Sequence, residues 1–454
     1  MAYGNIWLLI ALILYIVISK IIFDTVYQTS KLVIDEEFHL PLGEKYCEFN
    51  FRQWDSKVTT LPGLYILSAL LLGPFGLCSI YWLRMVSFIC SCVNLLMFYI
   101  LFSQNTRGDQ RKIFSAIMLA LLPPLYFFSH LYYTDVASLT SVLFVVTFSE
   151  FEYYYLASLA GFISIVFRQT NVIFVMMYGA KYALTESYKV WAQQQNVTLT
   201  GKLPATNLKP FLTHFIANPA KILSNLSLPF WLNLSCYAAT VISFLIFVAC
   251  NGSIVVGDKN AHQMTLHTPQ VFYFCIFCIV FGWPHFVGEI LKFLRFAKAH
   301  KLKMFLYLIL SGLIVHLNTQ VHPYLLADNR HYTFYIWNRF YAKYWFFTYL
   351  MTPVYVFAVH VTVKALWNKH DVSFCLTYIP AVTILLVTQK LIQERYFLVP
   401  YILLRLKLKY KNSSAFNVAL EFATYIIINV TTFEIFFNKV LYWNDRDDPQ
   451  RIIW

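Results

Sequence analysis

Residues 61–102 read LPGLYILSALLLGPFGLCSIYWLRMVSFICSCVNLLMFYILF, and this stretch decides how the chain is threaded. Its second half, Ile80–Phe102, is an unbroken apolar run of the length a membrane-spanning helix needs, roughly 20 residues. Its first half, Leu61–Leu77, is as apolar but is broken by Pro62, Gly63, Gly73, Pro74 and Gly76. Such a segment either crosses the membrane or forms short helices at its surface, and charge chooses between the two. Ahead of it, Asp24–Lys57 carries seven acids (Asp24, Asp35, Glu36, Glu37, Glu44, Glu48, Asp55) against four bases, which suits the non-cytoplasmic side. Behind Ile80–Phe102 come Arg107, Arg111 and Lys112, and such basic clusters stay in the cytoplasm. If only Ile80–Phe102 crosses, the acidic and basic loops fall on opposite sides. Leu61–Leu77 is therefore expected to dip without spanning.

The rest of the chain follows the same alternation. Of 454 residues, 59% are hydrophobic and 13% charged, about half the charge of an average soluble domain. Aromatic residues make up 19%, as suits a chain with many membrane–water interfaces. Soluble enzymes, nucleic-acid modules and disordered proteins are excluded. The net charge of +13 lies in short clusters between apolar runs, so it reports orientation and implies no nucleic-acid partner. No cleavage-site pattern follows the first run, Asn5–Phe23, which reads as a retained span. The last is Val418–Phe437, and the total is about 12 to 13 spans. The expected architecture is all-α and polytopic, a single domain over 1–454. It has a first luminal loop at 24–79, a cytoplasmic loop at 185–228 and a luminal loop at 318–343. The 9 cysteines suggest no disulfide framework, and Cys275-x-x-Cys278, inside an apolar run, reads as packing. Of six N-x-S/T sequons only Asn251 falls on the luminal side, too near the membrane for a glycan to be expected.

Polar residues gather in four segments that this threading places on one side: Val33–Asp55 with Thr59–Gly63, Phe128–Asp135 with Phe167–Asn171, His322–Tyr335, and Gln389–Tyr396. Polar groups converging at one face of an apolar bundle mark a site. A carboxylate near the end of the first span suits a general base, and Arg suits a phosphate because its planar fork binds two oxygens at once. The residues alone also admit plainer readings: Asp35–Glu37 as a solvated acidic patch, and Arg395 and Tyr396 as interfacial anchors. No H-E-x-x-H, P-loop or G-x-G-x-x-G motif is present, nor zinc-ligand spacing.

Six strings within these segments closely resemble one family. They are Asp35-Glu-x-Phe-His-x-Pro41, Gln53-Trp-Asp-x-x-x-Thr-Thr-Leu-Pro-Gly-Leu-Tyr65, Leu131-Tyr-Tyr-Thr134, Phe167-Arg-Gln-Thr-Asn171, Leu325-Leu-Ala-Asp-Asn-Arg-His-Tyr-Thr-Phe-Tyr335 and Arg395-Tyr-Phe397. The family is that of the alpha-1,2-glucosyltransferases of the endoplasmic reticulum that use dolichyl-phosphate-glucose. The match runs in order from Asp35 almost to the C-terminus, with Glu37 standing where the family has an apolar residue. The resemblance implies a type-C membrane glycosyltransferase fold, with membrane-parallel helices in the first luminal loop and a catalytic carboxylate near its start. It further implies addition of the third and last glucose to the dolichyl-diphosphate oligosaccharide used for protein N-glycosylation, with inversion at the anomeric carbon.

On that resemblance Asp35 is expected to be the base, with Glu36 as its alternate. Arg330, His331 and Arg395 are expected to neutralise the donor phosphate. His39, Trp54, Asp55, Tyr132, Tyr133, Arg168, Gln169, Asp328, Asn329 and Tyr396 are expected to bind sugar or support the site. No cofactor, nucleotide or metal is expected beyond the lipid-linked donor, and the implied partners are donor, diglucosylated acceptor and membrane lipid. A secondary transporter or flippase would instead show charges near mid-span and matched halves. The physics of the residues does not separate a dolichyl-phosphate-mannose enzyme of the same fold; only the resemblance of the Leu325–Tyr335 string does.

Overall fold

The computed structural model describes residues 2–105, 109–197, 201–259, 265–408, 415–444 and 448–454. Arg107, one of the basic residues that set the orientation, lies outside the described residues, as do Lys409, Lys411 and the sequon at Asn412. The apolar runs become helices: α1 (Ala2–Thr29), α2 (Glu36–Cys47), α3 (Gly63–Leu72), α4 (Ile80–Asn105), α5 (Asp109–Ala120), α6 (Pro123–Phe128), α7 (Thr134–Glu150), α8 (Tyr154–Phe167) and α9 (Val172–Gln194). Further long helices follow at Leu228–Asn251, Pro269–Phe286, Lys301–Asn318, Thr352–Leu366, Ser373–Val387, Leu398–Lys407 and Ala415–Asn438. Among the described residues, seven helices are long and apolar enough to cross a membrane. The only ladder there is one short antiparallel pair, Val440–Leu441 with Gln450–Arg451. The chain is an all-α, polytopic membrane protein.

α7 is the axis of the bundle. Thirteen of its residues are buried, and it packs against α4 and α8. Its sequence, rich in Ser, Thr, Ala and Val, lets neighbouring backbones approach closely, which is how helices associate where no hydrophobic force distinguishes protein from lipid. Short polar contacts fix the neighbours: Ser158 Oγ lies 3.0 Å from Thr240 Oγ1, and Asn171 Nδ2 donates to Ser138 Oγ at 2.8 Å. The lipid-facing helices are the converse, with Leu9, Leu245 and Leu310 more than half exposed.

The broken segment dips. α3 has 10 residues and so rises about 15 Å, half of a hydrocarbon core of about 30 Å. A 3₁₀ turn at Gly73–Phe75 and the left-handed Gly76, φ +64°, then end it. A disulfide joins Cys47 to Cys78 with their Cα atoms 5.6 Å apart, where the sequence suggests no disulfide framework. Spacing could not reveal it, because the pair meets only when α3 folds back along α2. Cys47 and Cys78 flank the dip on either side, so both of its ends lie on one face. Disulfides persist outside the reducing cytosol, which agrees with the acidic-loop face being non-cytoplasmic. A cysteine placed at Asn50 should therefore be protected from impermeant thiol reagents in sealed microsomes, and one at Lys202 labelled. Labelling at Asn50 would make Leu61–Leu77 a crossing.

Two boundaries differ from the sequence reading. α1 runs on to Thr29, and α9 continues to Gln194 because Tyr188 and Trp191 pack on Phe211 of the following short helices. The 185–228 region is thus partly the end of a span. Asn251 is tied down, its amide donating to the carbonyls of Ser253 and Val255, both at 2.8 Å.

Candidate active site

The site begins where the chain leaves α1. Ile34 has φ +45°, a left-handed conformation that a β-branched residue adopts only under strain, and it immediately precedes Asp35. Tyr133 secures this turn: its hydroxyl donates to the Val33 carbonyl at 2.9 Å and accepts from the Asp35 N–H at 3.1 Å. Asp35 is the N-cap of α2, yet its carboxylate makes no capping bond and is turned outward instead.

The two acids expected to share one role are physically different. Glu36 is fully buried. Arg84 grips it twice, Nε to Oε1 at 2.9 Å and Nη2 to Oε2 at 2.5 Å, and the N–H groups of Val33 and Tyr132 donate to the same oxygens at 3.1 and 2.7 Å. The Arg84 guanidinium also ties the Ser30 and Lys31 carbonyls, at 3.0 and 3.2 Å. Glu36 therefore closes the loop onto α4 and α7 and has no oxygen to offer a substrate. Asp35, with 37% of its side chain exposed, does.

Asp35 is the outer end of a chain of four charges. Its Oδ2 lies 3.0 Å from Arg395 Nη2; Arg395 Nη1 lies 3.7 Å from Asp135 Oδ2; Asp135 Oδ1 lies 3.0 Å from Arg168 Nη2. The Arg395 guanidinium sits over the rings of Tyr133 and Phe128, 5.2 and 5.5 Å from their centres, and bonds Gln393 Oε1 at 3.1 Å. Burial pushes the Asp35 carboxyl up, but Arg395, with His39 and His331, outweighs it and holds Asp35 below the ordinary range. The Arg395 proton is bound more firmly than usual, chiefly because Asp35 and Asp135 outweigh desolvation. His39 is pushed down to about 4 by burial, so it is neutral at physiological pH, with Nδ1 2.5 Å from the Tyr65 hydroxyl.

Around these charges stand braces. Gln169 Nε2 donates to the Thr59 carbonyl at 2.9 Å, tying the first loop to the start of α9. Gly63 permits α3 to approach there, since a Cβ would lie 2.7 Å from Phe167 N. The Tyr132 hydroxyl meets Ser68 Oγ at 2.7 Å, and Trp54 packs edge-on against Tyr46 and Tyr65 with its indole N–H buried and without acceptor. Asp55 accepts from Lys57 N at 2.9 Å, which makes it a turn residue.

In the Leu325–Tyr335 string, Arg330 is held by partners within the chain. Both Nε and Nη2 of Arg330 bind Asp328, each at 2.8 Å, Nη1 binds Gln450 Oε1 at 2.9 Å, and Trp443 stacks on the guanidinium at 4.3 Å. Asn329 accepts from the Trp443 indole at 3.0 Å, and Ile453 N donates to the Arg330 carbonyl at 2.8 Å. The Arg330 segment thus meets Trp443, Gln450 and Ile453. His331 stays with the site: Nδ1 meets the Trp454 carbonyl at 3.0 Å, and its charge would act on both Asp35 and Arg395. Burial lowers its proton affinity. Tyr396 faces Arg395, Arg168, Asp135 and Asp35.

Sequence reasoning missed two residues that matter here. Arg84 stands near the start of an apolar run, and nothing local points to its partner 48 positions away. Asp135 ends a polar segment with no role expected of it, though an acid in the first turn of an apolar helix is a signal in itself. Among the described residues no group of three His, Cys, Asp or Glu side chains converges to hold a metal.

The fold and site define a polytopic helical membrane protein with an accessible carboxylate paired to a largely enclosed arginine. The DIE2/ALG10 family model matches residues 29–406, and the chain belongs to that family. Relatives named Dol-P-Glc:Glc(2)Man(9)GlcNAc(2)-PP-Dol alpha-1,2-glucosyltransferase include one from Drosophila melanogaster, 39% identical over 99% of both chains. Others come from Homo sapiens, 34% identical over 93% of each, and Arabidopsis thaliana, 31% identical over 93% of this chain and 94% of the relative. No solved structure matches the chain.

Proposed function

We propose that this protein transfers glucose from dolichyl-phosphate-glucose, in alpha-1,2 linkage, to the diglucosylated dolichyl-diphosphate oligosaccharide. The family and the names of its relatives supply the substrates; the site supplies the chemistry. Asp35 takes the proton of the acceptor 2-hydroxyl as that oxygen attacks the anomeric carbon. The bond to the phosphate oxygen breaks on the opposite side, so a beta-linked donor gives an alpha-linked product. Dolichyl phosphate leaves as a stable anion and needs no strong acid. Arg395 takes up its charge, an electrostatic task performed where water is scarce and therefore strong. The observation that carries this reading is the 3.0 Å pair between an exposed Asp35 and a buried Arg395. A lipid-borne phosphate must sit at that level, because its tail stays in the bilayer while its charge cannot. The reading places the site on the luminal face of the endoplasmic reticulum membrane.

Arg395→Ala is expected to cripple use of the donor, since losing one arginine from a desolvated phosphate contact costs on the order of 2–5 kcal/mol. Arg395→Lys should keep part of the activity, because the charge survives without the fork. An interfacial anchor would behave otherwise: Lys would be silent, and Ala would lower abundance and leave activity per molecule unchanged. Analysis of lipid-linked oligosaccharides in cells lacking the protein tests the whole assignment. Accumulation of the diglucosylated species is expected, and a normal profile contradicts it.

A further inference from the structure

The two carboxylates on Arg395 differ in what can reach them. Asp35 is open, whereas Asp135, in the first turn of α7, has 1% of its side chain exposed. Asp135 holds Arg168 at 3.0 Å and Arg395 Nη1 at 3.7 Å, while Nη2 of the same guanidinium holds Asp35 at 3.0 Å. Arg395 is thus shared between an acid that the acceptor sugar can touch and one that it cannot.

Counting charge through the transfer makes this sharing matter. The donor phosphodiester carries one negative charge, and the two arginines and two aspartates cancel. As the new carbon–oxygen bond forms, the bond to phosphate breaks and leaves its electron pair on the phosphate oxygen. The acceptor proton moves to Asp35, which becomes neutral. Dolichyl phosphate, now a monoester, approaches two negative charges at neutral pH. The total is unchanged, yet Arg395 has lost its open partner at the moment when the phosphate most needs it.

We propose that Asp135 is a positioning residue that keeps part of the charge of Arg395 and Arg168 engaged through this exchange, so that the guanidinium passes from Asp35 to the leaving phosphate without gripping the product too tightly. The proposal rests on the roles given above to Asp35 and Arg395. Without the anchor, both arginines face the phosphate with one carboxylate fewer competing for them. The dianionic product should then bind too well.

The proton affinity of Asp35 reports the same change. The groups around it are His39 on α2, Tyr133 at the start of α7, Arg395 and Tyr396 on the turn before Leu398–Lys407, and His331; Asp135 reaches it through Arg395, Arg168 lies behind Asp135, and Glu394, which burial pushes up to about 7, stands beside Arg395 and titrates above the acid limb. Removing the Asp135 charge takes away a like charge and leaves Arg395 wholly to Asp35. Both effects favour the ionised base, so the acid limb of turnover moves to lower pH.

The test uses the full-length protein in liposomes, as wild type, Asp135→Asn and Asp135→Glu, with rates taken per folded molecule. For Asp135→Asn we expect inhibition by added dolichyl phosphate at about tenfold lower concentration, and an acid limb about one pH unit lower. Asp135→Glu, which keeps the charge, should bring both back toward wild type. Wild-type inhibition and an unmoved limb in Asp135→Asn, with only the yield reduced, would make Asp135 a structural brace and overturn the proposal. If Asp135→Asn does not fold, Asp135→Ser, which also removes the charge, is read in its place against the same outcomes. Asp35→Asn is the independent control. Full activity there removes the base assignment itself, while loss of activity there with an unaltered Asp135→Asn profile removes the anchor alone.

Discussion

Replacing Asp35 by Asn is expected to lower turnover at least about a hundredfold, the usual worth of a positioned general base, while the donor still binds. The amide keeps the shape and one hydrogen bond to Arg395 but has no site for the acceptor proton. Activity at saturating donor should therefore collapse with little change in donor KM. The pH dependence follows from the sign of the shift. Arg395 holds the Asp35 carboxyl below its ordinary range, so the base stays ionised throughout the neutral region and fails only in acid. His39, at about 4, adds no transition near neutrality. Radiolabelled glucose transfer at several pH values, wild type beside Asp35→Asn, measures both. Near-normal transfer by the mutant would reduce Asp35 to a member of a solvated acidic patch.

Glu36→Gln and Arg84→Met are expected to lose the protein itself, with the loss of activity a consequence. Each leaves one side of a buried bidentate pair uncompensated, at a cost of about 3–5 kcal/mol, against a total stability that for proteins is only about 5–15 kcal/mol. Both side chains are fully enclosed, so no solvent relieves the orphaned charge. Detergent-extracted yield and thermal unfolding should fall for both mutants. The double replacement Glu36→Leu with Arg84→Met should be less damaging than the sum of the two, since it removes both charges together. Normal yield with abolished turnover in Glu36→Gln would return Glu36 to the chemistry.

These two neighbours show where sequence reading stops. Asp35 and Glu36 stand in one string and are equally acidic; what separates them is that Arg84 meets Glu36, a contact set by how α4 leans on the loop. Asp35 itself pairs with a residue 360 positions away. Local signals did carry the membrane class and the break at Leu61–Leu77, because period and punctuation act over short distances, whereas Asp35, His39, Arg168, Arg395 and Tyr396 were singled out by the family resemblance. Arg330 shows the opposite. Its string marked the family, but its fork meets Asp328 two residues away and Gln450, and no pattern announces that Trp443, Gln450 and Ile453 come to meet it. Cys47 and Cys78 were hidden for the same reason, since only the fold of α3 on α2 brings them together.

The central claim concerns what is transferred, from which carrier, and by this chain alone. It is tested most directly by reconstituting the purified protein in liposomes with the diglucosylated dolichyl-diphosphate oligosaccharide and supplying one donor at a time. With dolichyl-phosphate-glucose, mass analysis should find a single added hexose that a 1,2-specific alpha-glucosidase removes. With dolichyl-phosphate-mannose or a nucleotide-linked glucose it should find none. Absence of transfer from dolichyl-phosphate-glucose, or equal transfer from the mannose donor, would contradict the account.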